Sequence, residues 1–131
     1  MTGVSGSGLD AALERVGDRW SLLIVEALLD GPRRFNDLGT AVAGIAPNIL
    51  TDRLRRLERA RVVVGKRYSE RPVRLAYSLT ADGQELAGVL RLLAAWGGGS
   101  DSAGLRHLSC GTALEARWWC PTCSTAIGED E

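Results

Sequence analysis

Between Pro47 and Ala60 the chain reads Asn48-Ile-Leu-Thr-Asp-Arg-Leu-Arg-Arg-Leu-Glu-Arg59, and no other stretch constrains the fold as strongly. Leu50, Leu54 and Leu57 recur at helical spacing, which commits one stripe of the segment to a core. Pro47 suits the first position of that helix. The opposite face holds Asn48, Asp52, Arg55 and Arg59, flanked by Thr51 and Arg56. Upstream, Phe35, Leu38 and Val42 mark a weaker helix that Gly39 loosens and Gly44 breaks. A short helix, a glycine-containing turn and a helix with a basic outer face make the sequence form of a helix-turn-helix.

The flanks extend this pattern. Residues 62–69 and 74–79 read as two strands, with Leu75, Tyr77 and Leu79 alternating against Arg74, Ala76 and Ser78. Glu70-Arg71-Pro72-Val73 between them reads as a hairpin tip, because proline cannot sit in a sheet interior. Lys66, Arg67, Arg71 and Arg74 gather around that tip, so the hairpin is a basic wing. Toward the N-terminus, Leu9, Ala12, Leu13 and Val16 define a short amphipathic helix. Asp18 can cap the next helix, whose apolar positions are Trp20, Leu23, Ile24, Ala27 and Leu28 and which Gly31-Pro32 ends. Thr80 caps a final helix expected as one piece over 81–96, with Leu86, Val89, Leu90, Leu92, Leu93 and Trp96 apolar. That stripe is wider than a small core needs, and a subunit interface is its simplest use. The fold class expected is mainly α with a small β-hairpin wing (α+β), a winged helix-turn-helix.

Charge is distributed to match. The net charge of the 131 residues is zero, yet residues 31–80 carry a net of +7, against −3 before them and −4 after. A basic middle between acidic ends is the footprint of a polyanion-binding surface. A composition 45% hydrophobic and 24% charged is that of a globular chain. No apolar run is long enough to cross a membrane, and Met1–Gly8 lacks the basic and apolar regions of a secretory signal. The location expected is therefore cytoplasmic, with no membrane partner.

Several linked motifs resemble the HxlR-type winged helix-turn-helix transcriptional regulators of bacteria. They are Val16-Gly-Asp-Arg-Trp20, Gly31-Pro-Arg-Arg-Phe35, Pro47-x-x-Leu-x-x-Arg-Leu54, Arg74-x-x-Tyr-Ser-Leu-Thr80, Gly83 and Trp96, all in register over about residues 7–97. The resemblance implies a homodimeric repressor or activator, with repression the expected sense. Its first and last helices would form the dimer and its two recognition helices would enter successive major grooves of duplex DNA. Two departures stand out. The family commonly carries an oxidant- or electrophile-sensing cysteine near the N-terminus, and that position falls at Ser7, whose hydroxyl has no anionic form near neutral pH. Ala46 stands where a Ser or Thr usually caps the recognition helix, a loss worth about 1 kcal/mol.

On this reading Asn48, Thr51, Asp52 and Arg55 lie nearest base edges, where Asn suits adenine and Arg suits guanine. Asp52 could accept from cytosine, but holding Arg55 or Arg56 in place is the favoured role. Arg34, Lys66, Arg67, Arg71 and Arg74 would hold phosphates, giving affinity without sequence information.

The remaining signal lies at the C-terminal end. All three cysteines fall after residue 109, an odd count that argues against a disulfide framework. His107-x-x-Cys110 and Cys120-x-x-Cys123 are two pairs of metal-ligand spacing, nine residues apart. Three thiolates and an imidazole form a closed tetrahedral set suited to one structural zinc per chain. Iron takes four cysteines more often. The segment resembles a small zinc ribbon, lacking only a glycine after Cys123, where Ser124 stands, and Trp118 and Trp119 are placed to cover the site or to pack on the body. The domain organisation expected is a flexible 1–8, a DNA-binding and dimerisation domain over 9–96, a linker over 97–104, a zinc-ribbon-like subdomain over 105–127 and an acidic tail over 128–131.

No constellation supports catalysis, since the single histidine and all the cysteines serve the tail and no glycine-rich loop joins a strand to a helix. Two alternatives remain open. One is a regulator whose signal is a small molecule in the dimer groove, or oxidant or zinc at the tail. The other is a protein–protein interaction module with residual DNA affinity, which the basic outer face of 48–59 opposes.

Overall fold

The computed structural model describes residues 6–98 and 106–128. The chain divides into two compact units, Met1–Leu90 and Arg91–Glu131. In the first unit α1 (Gly8–Val16) begins at Ser7, whose hydroxyl accepts the Asp10 N–H at 3.0 Å. Of the stretch expected to be flexible, residues 1–5 lie outside the described residues, and Ser7 and Gly8 are the cap and first turn of a helix.

α2 (Arg19–Leu28) starts at Asp18, whose carboxylate accepts the Ser21 N–H at 3.0 Å. Its buried side chains are Ser21, Ile24, Val25 and Leu28. The buried stripe is rotated from the expected one, leaving Trp20, Leu23 and Ala27 half-buried, because α3, α4 and β3 all pack on this helix. Small Ser21 lets the neighbours close in, and the Arg19 guanidinium covers part of Trp20, 4.7 Å from its ring centroid.

After α2 comes β1 (Arg33–Arg34), a strand missed by the sequence reading, since two residues show no alternation. The Arg33 Nε donates to the Ala27 carbonyl at 2.7 Å, satisfying the end of α2. α3 (Phe35–Ala41) and α4 (Pro47–Arg59) follow, joined by a turn through Gly44, whose φ is +83°. β2 (Val63–Glu70) and β3 (Val73–Leu79) form the wing, and β3 is central in an antiparallel sheet of order β1-β3-β2. The tip is shorter than expected. Glu70 pairs with Val73, leaving only Arg71-Pro72 outside the ladder, because Pro72 removes a single donor and its neighbours still pair. The ladder slips between Arg67 and Ser69, so Tyr68 sits in a bulge.

The C-terminus of α4 has no glycine, yet it closes like a helix that does. Arg61 takes φ +61°, its N–H bonds to the Glu58 carbonyl at 3.0 Å, and the Val62 N–H reaches back to Leu57 at 2.9 Å. This is the Schellman arrangement, with buried Val62 and Leu57 as its apolar contact. Thr80 docks on the same junction: its hydroxyl donates to the Arg61 carbonyl at 2.6 Å and its N–H to Val62 at 3.0 Å. Arg15 of α1 completes it, donating to the Ala60 carbonyl at 2.7 Å and pairing with Asp82.

The helix expected over 81–96 is two helices, α5 (Ala81–Gln84) and α6 (Leu86–Gly98). The break at Glu85 follows a tightened turn in which its N–H bonds to Asp82 three residues back, at 3.2 Å. Gly83 is the reason this turn sits so close: a Cβ there would stand 2.3 Å from the Val62 carbonyl oxygen. α6 also runs through Gly97 and Gly98, the first two residues of the expected linker, and 99–105 lie outside the described residues. Of α6 only Leu90 is buried; Val89, Leu92, Leu93 and Trp96 are exposed.

In the second unit, Arg106 bridges Ala113, and β4 (Trp118–Cys120) pairs antiparallel with β5 (Thr125–Ile127). Among the described residues no helix is long and apolar enough to cross a membrane.

Gly83→Ala is expected to force the Val62 carbonyl away from Thr80 and to cost about 1–3 kcal/mol, as overpacking against rigid backbone does. Urea unfolding at neutral pH reads the loss, and an unchanged midpoint would show that the junction yields freely.

Candidate nucleic-acid interface

α4 presents the two faces that its sequence demands. Leu50, Leu54 and Leu57 are no more than 2% exposed, while Asn48, Asp52, Arg55, Arg56 and Arg59 are exposed on the outside. Ala46 caps the helix without a side-chain hydrogen bond, and Pro47 follows it. Thr51 is half-buried, and its hydroxyl donates back to the Pro47 carbonyl at 3.0 Å. A base contact from Thr51 is therefore left to its lone pairs or methyl group.

Asp52 does not hold Arg55 or Arg56. Its carboxylate pairs with Arg53, the adjacent residue, which the sequence reading passed over. Arg53 Nε also donates to Asp18 at 3.0 Å, and Arg56 approaches the other Asp18 oxygen at 3.9 Å. One carboxylate thus caps α2 and ties down the inner edge of α4. Partial burial raises the Asp18 pKa, but hydrogen bonds from the Ser21 hydroxyl and N–H and from Arg53, together with the Arg53 charge, outweigh it and hold the group below the ordinary carboxylate value. The spacing of 35 residues between Asp18 and Arg53 hid this link from any periodicity argument.

On the wing, Lys66 lies opposite Ala76, Arg67 opposite Leu75 and Arg74 opposite Ser69, with Arg71 at the tip. Arg67 is drawn toward Glu70, 3.7 Å away. Arg34 stacks on the bulged Tyr68, its guanidinium carbon 4.5 Å from the ring centroid. Tyr68 was absent from the expected site; the bulge that turns it outward has no signature in the strand pattern. Among the described residues Arg55, Arg59, Lys66, Arg71 and Arg74 are exposed and have no ion-pair partner. The arrangement offers unpaired cations outside and a paired Arg53 at the inner edge of the same helix, with exposed Arg56 near the same carboxylate.

The model of the HxlR-like helix-turn-helix family matches residues 15–103. The chain belongs to that family. Among its relatives, the HTH-type transcriptional regulator YodB of Bacillus subtilis is 34% identical over 88 residues, covering 67% of this chain and 79% of YodB. The HTH-type transcriptional regulator Rv3095 of Mycobacterium tuberculosis is 34% identical over 128 residues, covering 93% of this chain and 80% of the relative. A solved transcription factor from Pseudomonas aeruginosa superposes with a TM-score of 0.70 at 32% identity, over 95% of this chain and 88% of that one. This HxlR-like chain is accordingly an HTH transcriptional regulator, and its relatives are regulators rather than enzymes. The last two matches reach beyond the family segment, into the stretch that holds the cysteines.

There, His107 Nδ1 lies 3.4 Å from Cys110 Sγ, and the Cys123 N–H donates to Cys120 Sγ at 3.5 Å. Hydrogen bonds from the Thr112 hydroxyl and N–H hold the Cys110 pKa below that of an ordinary thiol. Those from the Cys123 N–H and thiol, and from the Thr122 N–H, do the same for Cys120. The structure brings the four residues together as two pairs. Among the described residues no group of three His, Cys, Asp or Glu is close enough to hold one ion.

Two variants separate the roles of Asp18. Asp18→Asn keeps a capping oxygen but removes the charge that holds Arg53 and Arg56, whereas Asp18→Ala also removes the cap and should cost about 1–2 kcal/mol. Because the folded-state pKa is depressed, the charge stabilises the fold above the ordinary carboxylate range and ceases to as pH falls through the folded value. The gap between wild type and Asp18→Asn in urea unfolding should therefore be present at pH 7 and close in acid; a gap independent of pH would assign the effect to the cap alone.

Proposed function

We propose that this regulator binds duplex DNA as a homodimer, with α4 in the major groove and the β2–β3 wing on the backbone. The observation that carries the reading is the outer face of α4, where Asn48 and Arg55 stand exposed and unpaired on a helix fixed by its opposite, fully buried stripe. A helix with free donors on its outer face is what base-edge recognition requires. Arg34, Lys66, Arg67, Arg71 and Arg74 serve the phosphates, and Tyr68 holds the Arg34 guanidinium flat. Arg56 and Asp52 support the reading face from beside it, through Asp18 and Arg53.

Dimerisation uses the apolar side chains that the chain alone leaves in water: Leu9 and Leu13 on α1, and Val89, Leu92, Leu93 and Trp96 on α6. Trp96 is 81% exposed, an unusual state for so large an apolar surface. Two basic surfaces related by a two-fold axis then match two half-sites one helical turn apart.

Selection of bound sequences from a random duplex pool, followed by titration at several salt concentrations, tests the docking. Arg55→Ala should flatten preference at one position of each half-site, a loss of about 1–3 kcal/mol of discrimination. Arg71→Ala should weaken all sequences alike and reduce the salt slope by about 1 per subunit. If both variants bind every duplex as wild type does, the helix and wing are placed wrongly. For the dimer, light scattering should give twice the chain mass of 14.0 kDa, and Leu93→Glu should return the chain to a monomer with weaker operator binding.

A further inference from the structure

Residues 106–128 contain two turns built alike. In the first, the His107 N–H donates to the Thr112 carbonyl at 2.9 Å and the Gly111 N–H to the His107 carbonyl at 2.7 Å, below the Arg106–Ala113 bridge. In the second, Cys120 ends β4 opposite Thr125, and the Cys123 N–H points at the Cys120 sulfur. The residue directly after each second ligand is left-handed: Gly111 at φ +74° and Ser124 at φ +53°. Serine has no intrinsic preference for that region, so the turn itself imposes it. In the second turn this backbone aims the Cys123 N–H at the Cys120 sulfur, the arrangement that accommodates an anionic thiolate, whereas in the first the Gly111 N–H meets the His107 carbonyl.

This segment has no apolar core. No residue from Arg106 to Gly128 is buried; Leu108, Leu114, Trp118 and Trp119 are all exposed, and Cys120 is half-buried. Two small hairpins without a core are held by something other than hydrophobic burial. The donors available, three sulfurs and one imidazole in two x-x-spaced pairs, match a closed tetrahedral zinc shell in ligand type and number.

We propose that His107, Cys110, Cys120 and Cys123 bind one zinc ion within a single chain, and that this ion folds residues 106–128. Each pair is formed in this structure but the two pairs stand apart, so binding one ion requires the irregular stretch from Leu114 to Arg117 to bring the two turns together. Four protein ligands leave no open position, so the ion is structural rather than catalytic. The zinc-independent core of Met1–Leu90 has its own buried leucines and stands without it.

The test uses the untagged full-length chain, purified without chelator, because an added histidine tag would bind metal itself. Elemental analysis should give one zinc per chain, and replacement by cobalt should give the visible absorption of a tetrahedral thiolate site. Cys110→Ser and Cys120→Ser should each lose most of the zinc while the helical circular dichroism stays near that of wild type. His107→Ala should weaken binding and shift the cobalt bands. Absence of metal with three freely reacting thiols overturns the proposal. So does iron in place of zinc, one zinc per two chains, or full zinc content in both cysteine variants.

Discussion

The α4 helix of this regulator is held by a carboxylate that does not belong to it. Asp18 opens α2 by accepting the Ser21 N–H, and its same two oxygens meet Arg53 and Arg56 of α4. A helix N-terminus favours negative charge, and a basic helix needs some of its charge neutralised before it can pack. One side chain satisfies both demands, so the angle between α2 and α4 is set by an ion pair as well as by leucine packing. Arg53, mostly covered at 21% exposure, cannot leave the pair without stranding a carboxylate. Arg55 and Arg59, on the outer side, carry no such tie and keep their charge for a polyanion.

The far end of α4 is fixed by an equally local device. Arg61 enters the left-handed region, which for a non-glycine residue costs roughly 1–2 kcal/mol. That cost is offset because four groups converge on the junction: the Leu57 and Glu58 carbonyls, the Thr80 hydroxyl and N–H, Arg15 from α1, and the close face of Gly83. The wing begins at Val63, immediately after this knot, so its direction relative to α4 follows from it. Helix and wing are therefore tied to one another at this junction.

What the sequence made legible follows from the range of the interaction involved. The Leu50-Leu54-Leu57 stripe and the Asp18 and Thr80 caps are local patterns that the fold carries; the strand over Leu75–Leu79 forms as well, but Ala76 and Ser78 are half-buried like Leu75 and Tyr77, so its burial does not alternate. The strand at Arg33–Arg34 exists only because β3 is there to pair with it. The break at Glu85 has no local breaker at that position; next to it Gly83 approaches Val62, twenty-one residues earlier in the chain. At the interface, the exposed cations were readable from composition and helical phase. The Asp52–Arg53 pairing was not, since adjacent residues on a helix point apart and only the pull of Asp18 on Arg53 brings it round.

The Ser7 hydroxyl accepts the Asp10 N–H and starts α1, and a hydroxyl cannot be oxidised in the way a thiolate can. The sulfur chemistry left to the chain resides in Cys110, Cys120 and Cys123, beyond the residue at which the family segment ends. Any oxidant signal carried by cysteine in this regulator must therefore enter through the tail. There, hydrogen bonds to Cys110 and Cys120 hold both sulfurs closer to the anionic form. Those bonds serve a thiolate as a metal ligand and as a nucleophile alike; what separates the two uses is whether a fourth donor, His107, closes the shell.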